Sequence, residues 1–338
     1  MTGLCLLLTL LVAAPIASGA TPLSYVALGD SYASGEGLAP FVATTPATCD
    51  RSTQSYPYVL ATSLGLDVAG TTFHDVTCAG ALLANLATSV DGAPAQLGAV
   101  TAGTDLVTLN AGGNDASFTK LAASCVQARA FARFAKIQQQ LCETTIASVE
   151  RFLGVTRGSR PIFASALRAH DASPLVATML RVLSEVRVAQ GSVDPSTGRA
   201  TALAVVDYPV IFPPTRVTSP ACQVAVGVSY SSRDVVTLRA INVLLNQEIG
   251  RAVSLFATRH HEPSVFLVDV SSALTPLSCR LAAGPSDLRA IDLTNLGYSL
   301  HPLASGQVKI ANALRASLVT HGVIINSARG PGQLWTRW

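Results

Sequence analysis

Five short aliphatic runs, spaced widely along the chain, constrain this sequence more than anything else in it. They are "SYVALG" (24–29), "GTTFHDV" (70–76), "DLVTLNAG" (105–112), "ALAVVDY" (202–208) and "SVFLVDV" (264–270). They are almost continuously apolar and rich in β-branched residues, as strands buried on both faces must be. Between them lie segments with helical spacing, notably 177–189 and 231–260. The second carries Val236, Ile241, Leu244, Leu245 and Ile249 in a helical pattern. Buried strands alternating with helices predict an α/β fold, a parallel sheet covered on both faces. No internal repeat and no long linker interrupts the pattern, and "VDPSTGRA" (193–200) reads as a surface loop. Sheets of this kind take ligands beyond the carboxyl ends of their strands. Two of the runs end there in polar, glycine-rich sequence, after Gly29 and after Asn110.

Composition bears on where such a chain works. Hydrophobic residues make up 49% of the 338 and charged residues 13%, and the mean hydropathy is +0.41. The longest apolar segment is the first, "GLCLLLTLLVAAPIASGA". Its leucine-rich centre, the break at Pro15 and the small residues Ser18-Gly19-Ala20 read as a secretory signal peptide over residues 1–20, although a basic n-region is missing. An uncleaved anchor is the alternative, and the run is short for a span. Later apolar runs are broken by residues such as Asp207 and Pro209, which suits buried strands. Of seven cysteines, Cys5 lies in the leader. Cys49, Cys78, Cys125, Cys142, Cys222 and Cys279 remain, an even set without a CxxC pair. That favours disulfides in a secreted protein over a zinc or redox site. Nearest-in-chain pairing, 49–78, 125–142 and 222–279, is the simplest of the many pairings that six cysteines allow. The formal net charge is +3 with no dense basic tract, so nothing resembles a nucleic-acid footprint.

Four stretches carry groups that could do chemistry together. "GDSYASGEG" ends the first run on Ser31, either a helix cap beside Asp30 or a nucleophile at a helix N-terminus whose N–H groups face a developing oxyanion. The small residues around Ser31 leave room for a substrate, and Asp30 suits bonds that shape the site. In "VTCAGALLANL", Gly80 follows a strand and is either a turn glycine or an oxyanion donor. In "LNAGGNDASF", Asn114 is either a turn residue or a side-chain donor to the same oxygen. In "LGYSLHPLASGQVKIANAL", His301 precedes Pro302 and a helix start, which places its ring at a loop end. His74, His170, His260, His261 and His321 lie in a strand, in loops, at a helix end and near the tail, settings that read as structural or solvated. The G-x-S-x-G elbow of α/β-hydrolases is missing. "ALLANLATSV" and "VATMLRVL" fit an acyl pocket and core packing equally well.

In this order, G-D-S, a lone Gly, G-G-N-D and a late H-P resemble the four blocks of the SGNH, or GDSL, hydrolase superfamily. The chain is most similar to its secreted actinomycete-type lipases and esterases, with "YPVIFPP", "LLNQEI" and "FLVDV" also matching in order. The resemblance implies a flavodoxin-like three-layer α/β/α sandwich with a central parallel sheet, a single domain over 21–325 and a tail at 326–338. It implies carboxylic-ester hydrolysis without a metal or other cofactor; a monomer in transient contact with a lipid surface is the expectation for its partners. Ser31 is then the nucleophile and His301 the general base. The Ser31 and Gly80 N–H groups and the Asn114 amide form the oxyanion hole, and the family's three disulfides fit nearest-in-chain pairing. Many members place an acid three residues before the histidine, where this chain has Tyr298. The expectation is that the Tyr298 carbonyl orients His301, with Asp292 or Asp287 as the alternative. A carbohydrate O-deacetylase, a phospholipase or an acyltransferase on the same site, or a lipid- or glycan-binding module, are the competing functions.

Overall fold

The computed structural model describes residues 23–324 apart from 44–45, 70, 90–91, 129–133, 156–172, 197, 199, 215–220, 226, 280–285 and 293. The leader-like segment 1–20, His170 and the tail 326–338 lie outside the described residues. The strands are β1 (Tyr25–Gly29), β2 (Phe73–Asp75), β3 (Leu106–Asn110), β4 (Gln127–Ala128), β5 (Ala202–Val206), β6 (Ala221–Ala225), β7 (Val228–Ser231) and β8 (Val265–Val268). The helices are α1 (Ser31–Ser34), α2 (Tyr56–Ser63), α3 (Phe118–Ser124), α4 (Ala135–Phe152), α5 (Pro174–Gln190), α6 (Ser232–His260) and α7 (Ala304–Thr320).

The five aliphatic runs become β1, β2, β3, β5 and β8, which form one parallel sheet in the order β2-β1-β3-β5-β8. Every residue of β1, β3 and β5 is buried, as continuous apolar character requires of a sheet covered on both sides. Burying one such Val or Leu side chain is worth about 1.5–3 kcal/mol. The chain leaves β1 first towards β2 and later towards β5, so the strand order reverses between β1 and β3. Right-handed crossovers then place α2 on one face and α5 and α6 on the other. Accordingly α2 packs with α7, and α5 with α6. The fold is the flavodoxin-like α/β arrangement. Gly29 pairs with Asn110, so β1 and β3 end level at the reversal, where a crevice opens beyond the strand ends.

Local sequence sets the helix limits. Ser173 accepts from the Val176 N–H ahead of Pro174, and Ser231 accepts from the Asp234 N–H at the start of α6. On α6 the buried face runs through Val235, Leu238, Ile241, Leu245 and Ile249. Val236, expected on that face, is only half-buried, because the stripe that meets β8 and α5 begins one residue earlier. A second sheet, β4-β7-β6, was not anticipated. Its strands are short, and its antiparallel β6–β7 pair carries a register shift between Gln223 and Ala225. Disulfides join Cys49 to Cys78, Cys125 to Cys142 and Cys222 to Cys279. No described helix is long and apolar enough to cross a membrane.

Candidate active site

β1 delivers Ser31 through a tight exit. Gly29 has φ of 152°, and a Cβ there would stand 2.5 Å from the Asn110 carbonyl oxygen. Only glycine lets β1 approach β3 so closely in that conformation. Asp30 then caps α1: its Oδ1 accepts from the Tyr32 N–H at 3.0 Å. Its Oδ2 accepts from the Tyr208 hydroxyl at 2.6 Å, and that hydroxyl in turn accepts from the Gly113 N–H at 2.9 Å. Asp30 is thus the helix cap, and through Tyr208 it also ties the first block to G-G-N-D. Burial pushes its carboxyl up to about 7 against the lowering effect of these bonds. Since α1 has four residues, its dipole is small, and any anion stabilisation by the main chain comes from individual N–H groups.

His301 arrives from the other end of the chain. Its Nε2 is 2.7 Å from Ser31 Oγ, and its Nδ1 is 3.1 Å from the Ser299 carbonyl oxygen. A carbonyl can only accept, so Nδ1 carries the proton and Nε2 is free to accept the Ser31 hydroxyl. Burial lowers the imidazole to about 4, the carbonyls of Ser299 and Tyr298 oppose that shift, and the charge of Arg289 adds to it. The ring is therefore neutral at neutral pH, as a base must be. Tyr32 fixes the loop: its ring lies 4.9 Å from the imidazole, and its hydroxyl donates to the Leu300 carbonyl at 2.9 Å. Gln307 on α7 donates to the Tyr32 carbonyl and accepts from the Tyr56 N–H, which locks α7 to α1 and α2.

The carbonyl nearest Nδ1 corrects the expectation for Tyr298. After the short turn Leu296–Tyr298 the chain is extended at Ser299 and left-handed at Leu300, with φ of 68°. That reversal turns the Ser299 carbonyl, two residues before the histidine, onto the ring. The Tyr298 carbonyl contributes only as a weaker neighbour. The Tyr298 ring instead packs where Gly37 lacks a Cβ, 2.9 Å from that position.

Neither alternative acid reaches His301. Asp287 accepts from Lys309 Nζ at 2.5 Å, from Ser305 at 2.8 Å and from the Thr275 N–H at 2.7 Å. Burial raises its carboxyl, but these partners outweigh it and bring it to about 2. Asp292 caps a turn by accepting from Thr294 and Asn295, and lies 3.7 Å from Arg289. Asp292→Asn is therefore expected to leave kcat for p-nitrophenyl butyrate within about twofold, since an amide oxygen still accepts the turn bonds. A much larger loss would restore Asp292 as a partner of the histidine.

The second and third blocks are brought beside the first. The Cys78 N–H donates to the Gly29 carbonyl at 3.0 Å, which extends the β1 pairing towards Gly80. The Ala79 N–H donates to the Cys49 carbonyl, and the Cys49–Cys78 disulfide holds the same turn. Gly80 has φ of 76°, a left-handed turn position that favours glycine. Asn114 Nδ2 donates to the Ala81 carbonyl at 3.1 Å, so G-G-N-D is pinned to the Gly80 turn. Ser31 and Asn114 line one small recess, about 20 Å³ in volume, whose apolar wall is Phe118, Ile211 and Leu245. The segments weighed as an acyl pocket instead supply Leu83, Leu86, Val176, Met179, Val182 and Leu183 to the core.

Two residues of the site escaped sequence reasoning. Tyr208 lies in "YPVIFPP", far from the other blocks, and only the sheet brings its hydroxyl to Asp30. Glu36 lies inside "GDSYASGEG", and its Oε2 is 3.5 Å from His301 Nε2. The signal that could have found it is its position between Gly35 and Gly37, both left-handed, which turn the chain back towards Ser31.

A serine and a neutral, carbonyl-oriented histidine at the switch point of a flavodoxin-like sheet define a class, and comparison with known proteins gives the same one. Residues 27–195 match the GDSL-like Lipase/Acylhydrolase family, and the chain belongs to that family. It is 48% identical to Lipase 2 of Streptomyces coelicolor over 100 residues, 29% of this chain and 32% of that protein. It is 36% identical to a lipase of Streptomyces rimosus over 130 residues, 38% of this chain and 44% of that one. These aligned stretches span less than half of the curated relatives. Among solved structures, the extracellular lipase of Streptomyces rimosus superposes with a TM-score of 0.60 at 26% identity, covering 87% of this chain and 99% of that one. Phospholipase A1 of Streptomyces albidoflavus superposes at 0.62 and 23% identity over 88% and 99%, a likeness of fold.

Proposed function

We propose that this chain is a secreted serine carboxylic-ester hydrolase, a lipase or esterase that works through an acyl-enzyme on Ser31. The observation that carries the reading is the 2.7 Å contact between Ser31 Oγ and the unprotonated Nε2 of His301. His301 takes the hydroxyl proton as Ser31 attacks the acyl carbon, then returns it to the leaving alcohol. Water repeats the sequence to release the acid. The Ser31 N–H, the Gly80 N–H and the Asn114 amide hold the oxyanion, and the Ser299 carbonyl keeps the imidazole in the required tautomer. Phe41, Leu82 and Leu296 stand exposed close in sequence to Gly37, Gly80 and Tyr298, which supports transient contact with an apolar ester or lipid surface. The leader-like residues 1–20 and three disulfides support secretion. The protein is taken to act as a monomer.

The test is hydrolysis of p-nitrophenyl esters from acetyl to palmitoyl, with Ser31→Ala as the blank. The expected result is turnover that vanishes in the variant. A maximum at long chains identifies a lipase or phospholipase, and one at acetyl or butyryl an esterase or deacetylase. Wild type and variant that are indistinguishable throughout would leave a binding module and remove the enzyme reading.

A further inference from the structure

Glu36 is a half-buried carboxyl group, 15% exposed, at the reacting atoms, and the mechanism above gives it no work. Its Oε2 is 3.5 Å from His301 Nε2, the same nitrogen that Ser31 Oγ approaches to 2.7 Å. Gly297 closes over the other oxygen, with its absent Cβ 3.0 Å from Oε1. The far edge of the imidazole faces neutral backbone carbonyls, Ser299 nearest. A neutral acceptor therefore stands where a catalytic triad has its acid, and an acid stands on the edge that a triad leaves to substrate. A carbonyl fixes the tautomer, but it stabilises an imidazolium less than a carboxylate does.

We propose that Glu36 is the charge partner of the Ser31–His301 pair, acting at Nε2: as a carboxylate it stabilises the imidazolium, and as a neutral acid it donates to Nε2 and switches the base off. The inference rests on the ester-hydrolase reading and assigns its missing acid. In the acylation step the Ser31 O–H bond breaks and the Oγ–acyl carbon bond forms. The carbonyl electron pair moves to the oxyanion, and the proton passes to Nε2. Glu36 stays charged throughout, and the proton leaves Nε2 with the departing alcohol.

The surroundings set the pH at which this switch moves. Burial first, then the negative charges of Asp50 and Asp30, push Glu36 up to about 7, and the Ser31 side chain opposes them. The phenols of Tyr32 and Tyr298 also face it, and both are raised in part by its charge. The positive charge on this side is Arg289, which donates to the Gly37 carbonyl and lies 3.7 Å from Asp292. Glu36 takes up a proton at higher pH than His301 does, so the first proton bound on acidification sits on the carboxyl beside Nε2. Turnover therefore falls as pH drops through about 7 and rises as Glu36 ionises.

The experiment measures kcat and KM for p-nitrophenyl butyrate from about pH 5 to about pH 9 in wild type, Glu36→Gln, Glu36→Ala and Glu36→Asp, and follows the His301 ring nitrogens by NMR over the same range. In the Gln and Ala variants the rise near neutral pH is expected to disappear. Their kcat at alkaline pH should fall roughly 10- to 100-fold with KM within about twofold, the size of effect an opposite charge has at this distance. The inflection of the ring nitrogens near neutral pH should vanish with the carboxyl. Glu36→Asp should keep the inflection and recover part of kcat, and it decides the matter if the other variants do not fold. Variants that keep both the wild-type rise and the wild-type kcat overturn the proposal. So does a loss of kcat with the ring titration unchanged, which marks a packing residue. If wild type shows no Ser31-dependent turnover the ester-hydrolase reading fails, and the ring titration still reports whether Glu36 shares its proton with His301.

Discussion

Replacing His301 by alanine is expected to lower kcat for p-nitrophenyl butyrate by a factor of about 10,000 or more, and Ser31→Ala to lower it as far. The two losses should not add, because the hydroxyl and the imidazole act as a unit. Without His301 Nε2 at 2.7 Å, the Ser31 proton loses the acceptor that takes it in the reaction. Without Ser31, the histidine has no attacking oxygen to activate. Burial holds the imidazole near 4, which keeps it unprotonated at neutral pH, and this is why removal costs the full effect rather than a fraction of it. Kinetics of the two single variants and the double variant check this. A His301→Ala enzyme within tenfold of wild type would place the base elsewhere.

Gly29→Ala is expected to cost about 3 kcal/mol of stability and most of the activity of whatever folds. A side chain at φ of 152° is strained before any contact is counted. The added Cβ would stand 2.5 Å from the Asn110 carbonyl oxygen and 2.9 Å from the Ala33 Cβ, so β1 must move away from β3 or α1 away from β1. The Asp30 N–H donates to that same Asn110 carbonyl at 3.0 Å, and either movement breaks it. Asp30 leads directly into Ser31, so the displacement passes to the nucleophile. A urea denaturation midpoint and kcat measured on one preparation check both effects. Unchanged stability would mean that the strand exit is looser than its geometry.

The sequence by itself determined the sheet and which loops could carry chemistry. The five aliphatic runs are continuous because their strands are buried on both sides, and that requirement is written locally, residue by residue. Ser31, Gly80, Asn114 and His301 were each weak candidates from local sequence, and it was the order of their four blocks, in its resemblance to the SGNH family, that joined them into one site. Tertiary structure alone decided what surrounds them. Ser299 rather than Tyr298 presents the closest carbonyl to the imidazole because Leu300 is left-handed, and neither residue type announces that torsion. Val235 rather than Val236 faces the core because the neighbours of α6, not its own periodicity, set which stripe is covered. Tyr208 and Glu36 meet the site through a contact 178 residues apart in one case and 265 in the other, the second being 301 less 36. Contacts at such separation depend on how strands are ordered and glycine turns are aimed, and local patterning carries little of that information.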